Sequence, residues 1–132
     1  MSNKSEIALI VDAAATNMNG TEPGGTYTAT QEDGHDLYPA ASAVVQVIIT
    51  ATPAGTTPTL DVRIQHSADG VNWATLLDMT QITKTGTYPQ NYVQAIPTAT
   101  VCAFGRYLRL QYKVGGTDSP EWVVTSQIQA KE

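Results

Sequence analysis

The sequence has few charged residues, one cysteine and no long apolar run. Charged residues make up 14% of its 132 residues, against an average of about 25%. The single cysteine, Cys102, excludes a disulfide bond within the chain. The apolar run after Lys4 ends at Asp12, too early for a secretion signal, and no segment approaches the roughly 20 apolar residues of a membrane helix. We therefore expect that the protein is synthesised in the cytoplasm and that its core is stable without disulfide bonds.

Basic residues are also scarce. The chain has 7 Lys and Arg against 12 Asp and Glu, which gives a net charge of −5. Contacts with phosphate groups need clustered basic residues, so we expect no direct binding of nucleic acid and no binding to anionic membranes. A weakly charged surface favours contact with other proteins instead.

A helical period is absent, and apolar residues alternate with a period of two. Strands are predicted at residues 6–13, 26–30, 42–51, 59–66, 73–77, 91–96, 104–114 and 121–130. Residues 14–40 are predicted to form a loop-rich arm, and turns are predicted at 52–58 and 115–116. The fold class is therefore all-β: a single domain, residues 1–132, folded as an antiparallel, jelly-roll-like β-sandwich of seven or eight strands.

Alternation also predicts which side chains face the core. In the first strand, Ile7, Leu9, Val11 and Ala13 share one face. The residues predicted to point inward on the later strands are Val45, Val47, Ile49, Leu60, Val62, Ile64, Leu108, Leu110, Tyr112, Val114, Trp122, Val124 and Ile128.

The clearest turn signal is Asp69-Gly70. An Asp-Gly pair readily adopts the positive φ angles of a tight hairpin, and Trp73 is expected to cap the hairpin that follows. Arg106 is in phase with the inward-facing Leu108. A charge in that position must lie near water or be paired, so we expect an ion pair with Asp69 or Asp78 at the edge of the sandwich.

No catalytic motif is present, and the protein is not predicted to be an enzyme. The two histidines, His35 and His66, have no recognisable nucleophile beside them. Paired carboxylates of the kind that hydrolyse glycosides remain open from one sequence. Cys102 is most simply a small buried residue.

Three carboxylates, Glu32, Asp33 and Asp36, surround His35. Closely spaced carboxylates suit Ca²⁺, but this spacing does not match a calcium-binding loop. The segment is predicted to be a solvated acidic turn, with neither metal nor cofactor.

About the last 75 residues resemble small virion proteins. The segment 60–67, the Asp69-Gly70 turn, Trp73, and residues 105–110 and 114–117 resemble head-decoration or cement proteins of tailed bacteriophages. The resemblance implies a β-sandwich on the capsid exterior that binds the assembled head lattice. Its partners would be the major capsid protein and further copies of itself, as a trimer. A neck, tail or fibre position is the alternative.

Lattice contact is expected in the first 40 residues, which this resemblance does not cover. The residues predicted to contact the capsid are Ile7, Leu9, Glu32, Asp33, Asp36 and Tyr38. The residues predicted to be structural are Ser67, Asp69, Gly70, Trp73, Arg106, Tyr107, Arg109 and Trp122.

A second resemblance is to discoidin-like (factor 5/8 C-type) sugar-binding modules. These modules carry a Ser-x-Asp-Gly-x-x-Trp hairpin, matched by residues 67–73, and an Arg-Tyr-x-Arg strand, matched by residues 106–109. The sequence lacks their paired terminal cysteines and their early tryptophan-containing segment. The resemblance implies carbohydrate binding as an alternative function, although the matched residues are largely scaffold in those modules.

Overall fold

The computed structural model describes residues 6–19, 26–30, 34–101 and 103–132, with side chains from residue 8 onward. Glu32, Asp33, Cys102 and the side chain of Ile7 lie outside this description. Within the described ranges the regular secondary structure is entirely β. The strands are β1 (Glu6–Asn19), β2 (Thr28–Ala29), β3 (His35–Asp36), β4 (Ser42–Ile49), β5 (Ala54–Ser67), β6 (Ala74–Asp78), β7 (Ile82–Thr83), β8 (Gln90–Ile96) and β9 (Tyr107–Lys131).

All nine strands join into one curled antiparallel sheet, because β9 runs through both of its halves. Residues 121–131 pair with β1 on one side and β4 on the other, and β8 pairs with β4. We call this half sheet I. Residues 107–114 pair with β5 on one side and with β2 and β3 on the other, and β5 carries β6 and β7. We call this half sheet II. Tyr112 of sheet II contacts Ser126 of sheet I, so the inner faces of the two halves pack together.

The strand order is that of a jelly roll. Eight strand positions result when the two halves of β9 are counted separately and the short strands β2 with β3, and β6 with β7, are each counted as one position. Numbered along the chain, these positions have the order first, eighth, third, sixth in sheet I and second, seventh, fourth, fifth in sheet II. This is the winding of an eight-stranded double-sheet jelly roll. The predicted all-β, jelly-roll-like sandwich is therefore confirmed.

The core lies between the two inner faces. All thirteen residues predicted to point inward from β4, β5 and β9 are buried, and none exposes more than 5% of its surface. Burying one large apolar side chain contributes about 1.5–3 kcal/mol. The alternating pattern therefore supplies most of the force that closes the sandwich.

The first strand differs from its prediction in length and in which of its side chains face the core. It continues to Asn19, through residues predicted as loop, and its register with β9 shifts between Val11 and Ala13. A bulge adds one residue to a strand and so resets the alternation. As a result Leu9 and Val11 point outward and are exposed, whereas Asp12 and Ala13 are both buried.

Two predicted turns are corners through which paired strands continue. The pairing of β5 with β9 extends from Ala54 opposite Glu121 to Ser67 opposite Tyr107, with register shifts near its beginning. Residues 54–58 and 115–116 therefore bend the chain within β5 and β9, whereas residues 52–53 precede β5. Positive φ angles produce the bend at Gly55, Thr57, Gly116, Asp118 and Ser119.

Replacing Gly55 with alanine should destabilise the fold more than the same change at Gly86. A Cβ at Gly55 would lie 2.7 Å from the Cα of Pro120 and 2.9 Å from the carbonyl oxygen of Thr117, at a φ of 98°. Gly86 has a φ of 65° and meets only the flexible side chain of Gln90, at 3.2 Å. We expect losses of about 3 kcal/mol for Gly55→Ala and about 1 kcal/mol for Gly86→Ala in urea denaturation. Equal losses would contradict the close packing at this corner.

Candidate functional site

One end of the sandwich collects arginine and aromatic side chains from three connections. The segment 37–41 joins β3 of sheet II to β4 of sheet I, the segment 68–73 joins β5 to β6 within sheet II, and the described residues 97–101 and 103–106 lie between β8 and β9. We call it the aromatic end and define it by Tyr38, Trp73, Arg106, Tyr107 and Arg109. It unites residues that were predicted separately, as capsid contacts and as structural elements.

The turn at the aromatic end is held by a dense set of hydrogen bonds. The hydroxyl of Ser67 accepts from the backbone N–H of Gly70 (2.9 Å), and the carboxylate of Asp69 accepts from the N–H groups of Val71 and Asn72 (both 2.9 Å). These bonds hold the pKa of Asp69 well below its usual range. Gly70, with a φ of 76°, packs against the ring of Tyr107. The Asp-Gly signal thus marks a turn, but this turn is wider than the predicted tight hairpin: the last pair of β5 and β6 is His66 with Ala74, and only Gly70 of the two residues has a positive φ.

Arg106 links this turn region to the segment after β3. Its Nε and NH2 groups donate to the carboxylate of Asp36 at 2.9 and 2.8 Å, and its guanidinium lies 5.0 Å from the ring centre of Tyr38. The bonds from Arg106, together with one from the N–H of Tyr38, lower the pKa of Asp36. The predicted pairing with Asp69 or Asp78 is wrong, as is the inward facing of Arg106. Strand β9 begins one residue later, so its alternation does not extend to Arg106.

Trp73 is fixed between a glycine and an arginine. A Cβ on Gly34 would lie 2.3 Å from the Trp73 ring, so only glycine fits against this edge of the indole. The guanidinium of Arg109 lies over the ring, 4.5 Å from its centre, and its Nε donates to Gln65 at 2.7 Å. Trp73 therefore connects the turn after β5 to the segment before β3.

The exposure of these groups suits contact with another protein. Tyr38 is 68% exposed and Val71 is 76% exposed. Arginine and aromatic residues are enriched in interfaces, where rigid side chains lose little entropy on binding. Because the supporting bonds are already made, the aromatic end is preorganised for binding.

A buried carboxylate occupies the interior beneath β1, β3 and β9. Asp12 accepts hydrogen bonds from Nε2 of His35 (2.8 Å), the hydroxyl of Thr30 (2.7 Å) and the hydroxyl of Tyr112 (2.6 Å). Tyr112 also bonds to the hydroxyl of Ser126. We call these five residues the Asp12 centre. It connects the inner faces of sheets I and II through polar contacts.

Burial and hydrogen bonding oppose each other at the Asp12 centre. Burial alone would raise the pKa of Asp12, but the bonds from His35, Tyr112 and Thr30 outweigh it and lower that pKa. Burial, with the Asp12 carboxylate alongside, raises the pKa of Tyr112 far above its usual value. The centre therefore contains an ionised carboxylate and a neutral phenol.

Sequence reasoning missed this centre. His35 was assigned to the acidic turn, whereas it pairs with Asp12. The available signal was the inward phase of two polar residues on predicted strands, Tyr112 and Ser126. Asp12 gave no such signal, because the alternation of the first strand places it outward and only the bulge after Val11 turns it inward. Elsewhere, Leu9 lies on the outer face of sheet I, opposite Gln129 of β9, and Trp122 is fully buried in the core.

The described residues hold no group of three His, Cys, Asp or Glu side chains placed to bind a metal ion. The ring Nδ1 of His66 accepts a hydrogen bond from the N–H of Gly105 at 2.9 Å. Among the same residues, no helix is long and apolar enough to span a membrane.

Comparison with known proteins finds similarity in fold. No protein-family model matches the sequence, and no curated protein matches it. Among solved structures, the chain is similar to infectious bursal disease virus VP2 in a subviral particle, with a TM-score of 0.65 and 12% identity over 94% of this chain and 32% of that chain.

Two further structures of the same virus show the same likeness. One is its Gx strain, with a TM-score of 0.63 and 10% identity over 94% of this chain and 31% of that chain. The other is a viral particle, with a TM-score of 0.60 and 14% identity over 94% of this chain and 30% of that chain. The chain thus spans about a third of the length of the chains it matches, and at these identities the likeness concerns the fold.

The Asp12 centre predicts an acid-sensitive contribution to stability. Asp12→Asn should lower the free energy of unfolding by about 2–4 kcal/mol at pH 7, because the amide replaces one of the two acceptor oxygens with an NH2 group that faces other donors. The folded pKa lies below the ordinary value of 3.8. The stabilisation is therefore complete above that value and is lost as pH falls through the folded pKa.

Urea denaturation of both proteins from pH 7 down to pH 2 measures this contribution. The difference between wild type and variant should be constant near neutrality and shrink below about pH 4. Asp78→Asn is the control, because it breaks a half-exposed pair with Arg63 worth about 0–1 kcal/mol. A difference for Asp12→Asn that persists unchanged at low pH would contradict this interpretation.

Proposed function

We propose that this chain is a structural component of a virus particle, and specifically a decoration or cement protein on the capsid exterior of a tailed bacteriophage. It would bind the assembled head lattice and stabilise it through protein–protein contacts. The observation that carries the proposal is the jelly-roll strand order, which this chain has in common with chains of virus particles. Jelly rolls are a recurrent architecture of viral capsids.

The aromatic end is the surface best suited to contact the lattice. Tyr38 and Asp36 were predicted as capsid contacts from the sequence, and they lie beside Arg106 and Tyr107. Rigid aromatic and arginine side chains at the centre of an interface supply most of its binding energy. Leu9, also predicted as a contact, lies on the outer face of sheet I and would belong to a second contact.

The partners in this proposal are the major capsid protein and further copies of the chain, arranged as a trimer. A stable lattice contact buries more than about 1,000 Å². The exposed side chains of the aromatic end cover part of that area, so neighbouring loops would contribute the remainder. A neck, tail or fibre position would use the same surface on another partner.

Carbohydrate binding is the alternative function. It would require an open aromatic face for a sugar ring to stack against. Arg109 covers one face of the Trp73 ring, and Gly34 packs closely against its edge. These contacts favour protein binding over sugar stacking at Trp73.

Tyr38→Ala should weaken binding to capsid shells that lack this protein by about tenfold or more, as expected for an exposed aromatic anchor. The measurement is cosedimentation with such shells over a range of protein concentrations. Tyr27→Ala is the matched control, because Tyr27 also stacks on an arginine, Arg63, at 4.0 Å, but on the outer face of sheet II. The control should bind as wild type does.

Three results would count against the proposal. Failure of the wild-type protein to sediment with shells, together with binding to isolated necks or tails, would relocate it within the virion. Equal binding by Tyr38→Ala and wild type would remove the aromatic end from the contact. Specific binding on a glycan array that is lost in Trp73→Ala would favour the carbohydrate-binding alternative.

A further inference from the structure

The edges of the two sheets differ in how they are protected. An edge strand exposes N–H and C=O groups with which any other strand can pair, so proteins protect edges with charges, bulges or very short strands. Sheet I ends at β1 and β8, and sheet II ends at the β2–β3 position and the β6–β7 position.

Three of these four edges carry such protection. Strand β1 has three register shifts and the inward charge of Asp12. Strands β2, β3 and β7 have two residues each. Strand β6 pairs across a register shift next to Gln65 and ends at the charged Asp78.

Strand β8 has none of these features. Its seven residues pair with β4 in unbroken register, from Gln90 opposite Ile49 to Ile96 opposite Ala43. It contains no charged residue, proline or glycine, and Val93 at its centre is 60% exposed. Pro89 and Pro97 flank it on both sides. No other described strand pairs with it.

The absence of charge extends from β8 across the middle of the outer face of sheet I, whereas the charged Glu121 and Lys131 lie at the two ends of the sheet I half of β9. The central row consists of Val11, Gln127, Gln46 and Val93, in which Gln127 donates to Gln46 at 2.7 Å. The outer face of sheet II, by contrast, carries the charged side chains of Asp61, Arg63, Arg109 and Lys113. The two faces belong to one molecule, so the difference does not follow from its low overall charge.

We propose that β8 pairs antiparallel with β8 of a second copy of the chain about a two-fold axis, so that the two copies of sheet I join edge to edge. Two copies with a net charge of −5 each repel one another. Pairing through β8 brings no like charges face to face, because β8 contains no charged residue. The flanking prolines end the strand at matching points in both copies. Centred on Val93, the pairing places an uncharged residue opposite every residue of β8, as an isologous contact requires.

This inference goes beyond the proposed function, because edge pairing is a property of the chain in solution and needs no capsid. A two-fold contact through β8 is also distinct from a three-fold contact, and one assembly can contain both. The shell-binding experiment therefore succeeds or fails independently of the test that follows.

Val93→Lys should prevent the pairing, because it brings two lysines opposite each other across the two-fold axis. We expect wild type to sediment at equilibrium with twice the 14.1 kDa mass of the chain, and the variant to have a dissociation constant raised about tenfold or more. Val11→Lys is the matched control, an exposed valine on the opposite edge strand. It should associate as wild type does. Circular dichroism and thermal melting establish that both variants fold.

Amide hydrogen exchange gives a second readout that is specific for the backbone. Raising the protein concentration should slow exchange at alternate residues of β8, whose N–H groups point away from β4. The proposal is overturned if wild type is monomeric at its highest soluble concentration. It is equally overturned if Val93→Lys and Val11→Lys weaken association to the same extent, or if exchange in β8 is independent of concentration.

Discussion

The rest of the structure depends on the membership of β9 in both sheets. Its 25 residues pair with five of the other eight described strands, and the corner after residue 114 transfers it from sheet II to sheet I. Nearly all pairing is therefore between residues far apart in sequence, which slows folding relative to folds built from local contacts. The corner also fixes the separation of the inner faces, which the buried side chains then fill.

The aromatic end follows from the same arrangement. The first residues of β9 lie between the hairpin after β5 and the segment around β3, so Arg106 reaches Asp36 and Arg109 reaches Trp73. Two groups of residues that seemed unrelated in the sequence thereby become one surface. The hydrogen bonds of the turn around Asp69 stabilise this surface as well as the hairpin, because they hold Trp73 in place.

Alternation in the sequence predicts the core and the fold class, because burial on one face of a strand imposes a period of two wherever the strand is regular. It fails where the backbone departs from regularity. The bulge before Ala13 turns Leu9 and Val11 outward. At Gly55 the strand continues through a corner where the composition predicts a turn. Arg106 precedes β9, so the alternation of that strand does not predict which way it faces. The Asp12 centre and the aromatic end depend on which strands are neighbours, and a periodic pattern carries no such information.

The Asp12 centre has a consequence for the choice among competing folds. Its carboxylate is satisfied only when β1 lies against β9 in one register and β3 lies beside Leu108. Any slipped pairing of β1 would leave an ionised group in the interior without donors, which costs far more than a misplaced apolar residue. A buried ionic group of this kind adds little net stability but penalises the alternatives strongly. The centre thus favours one strand topology over the many others that strands with such similar apolar patterns could form.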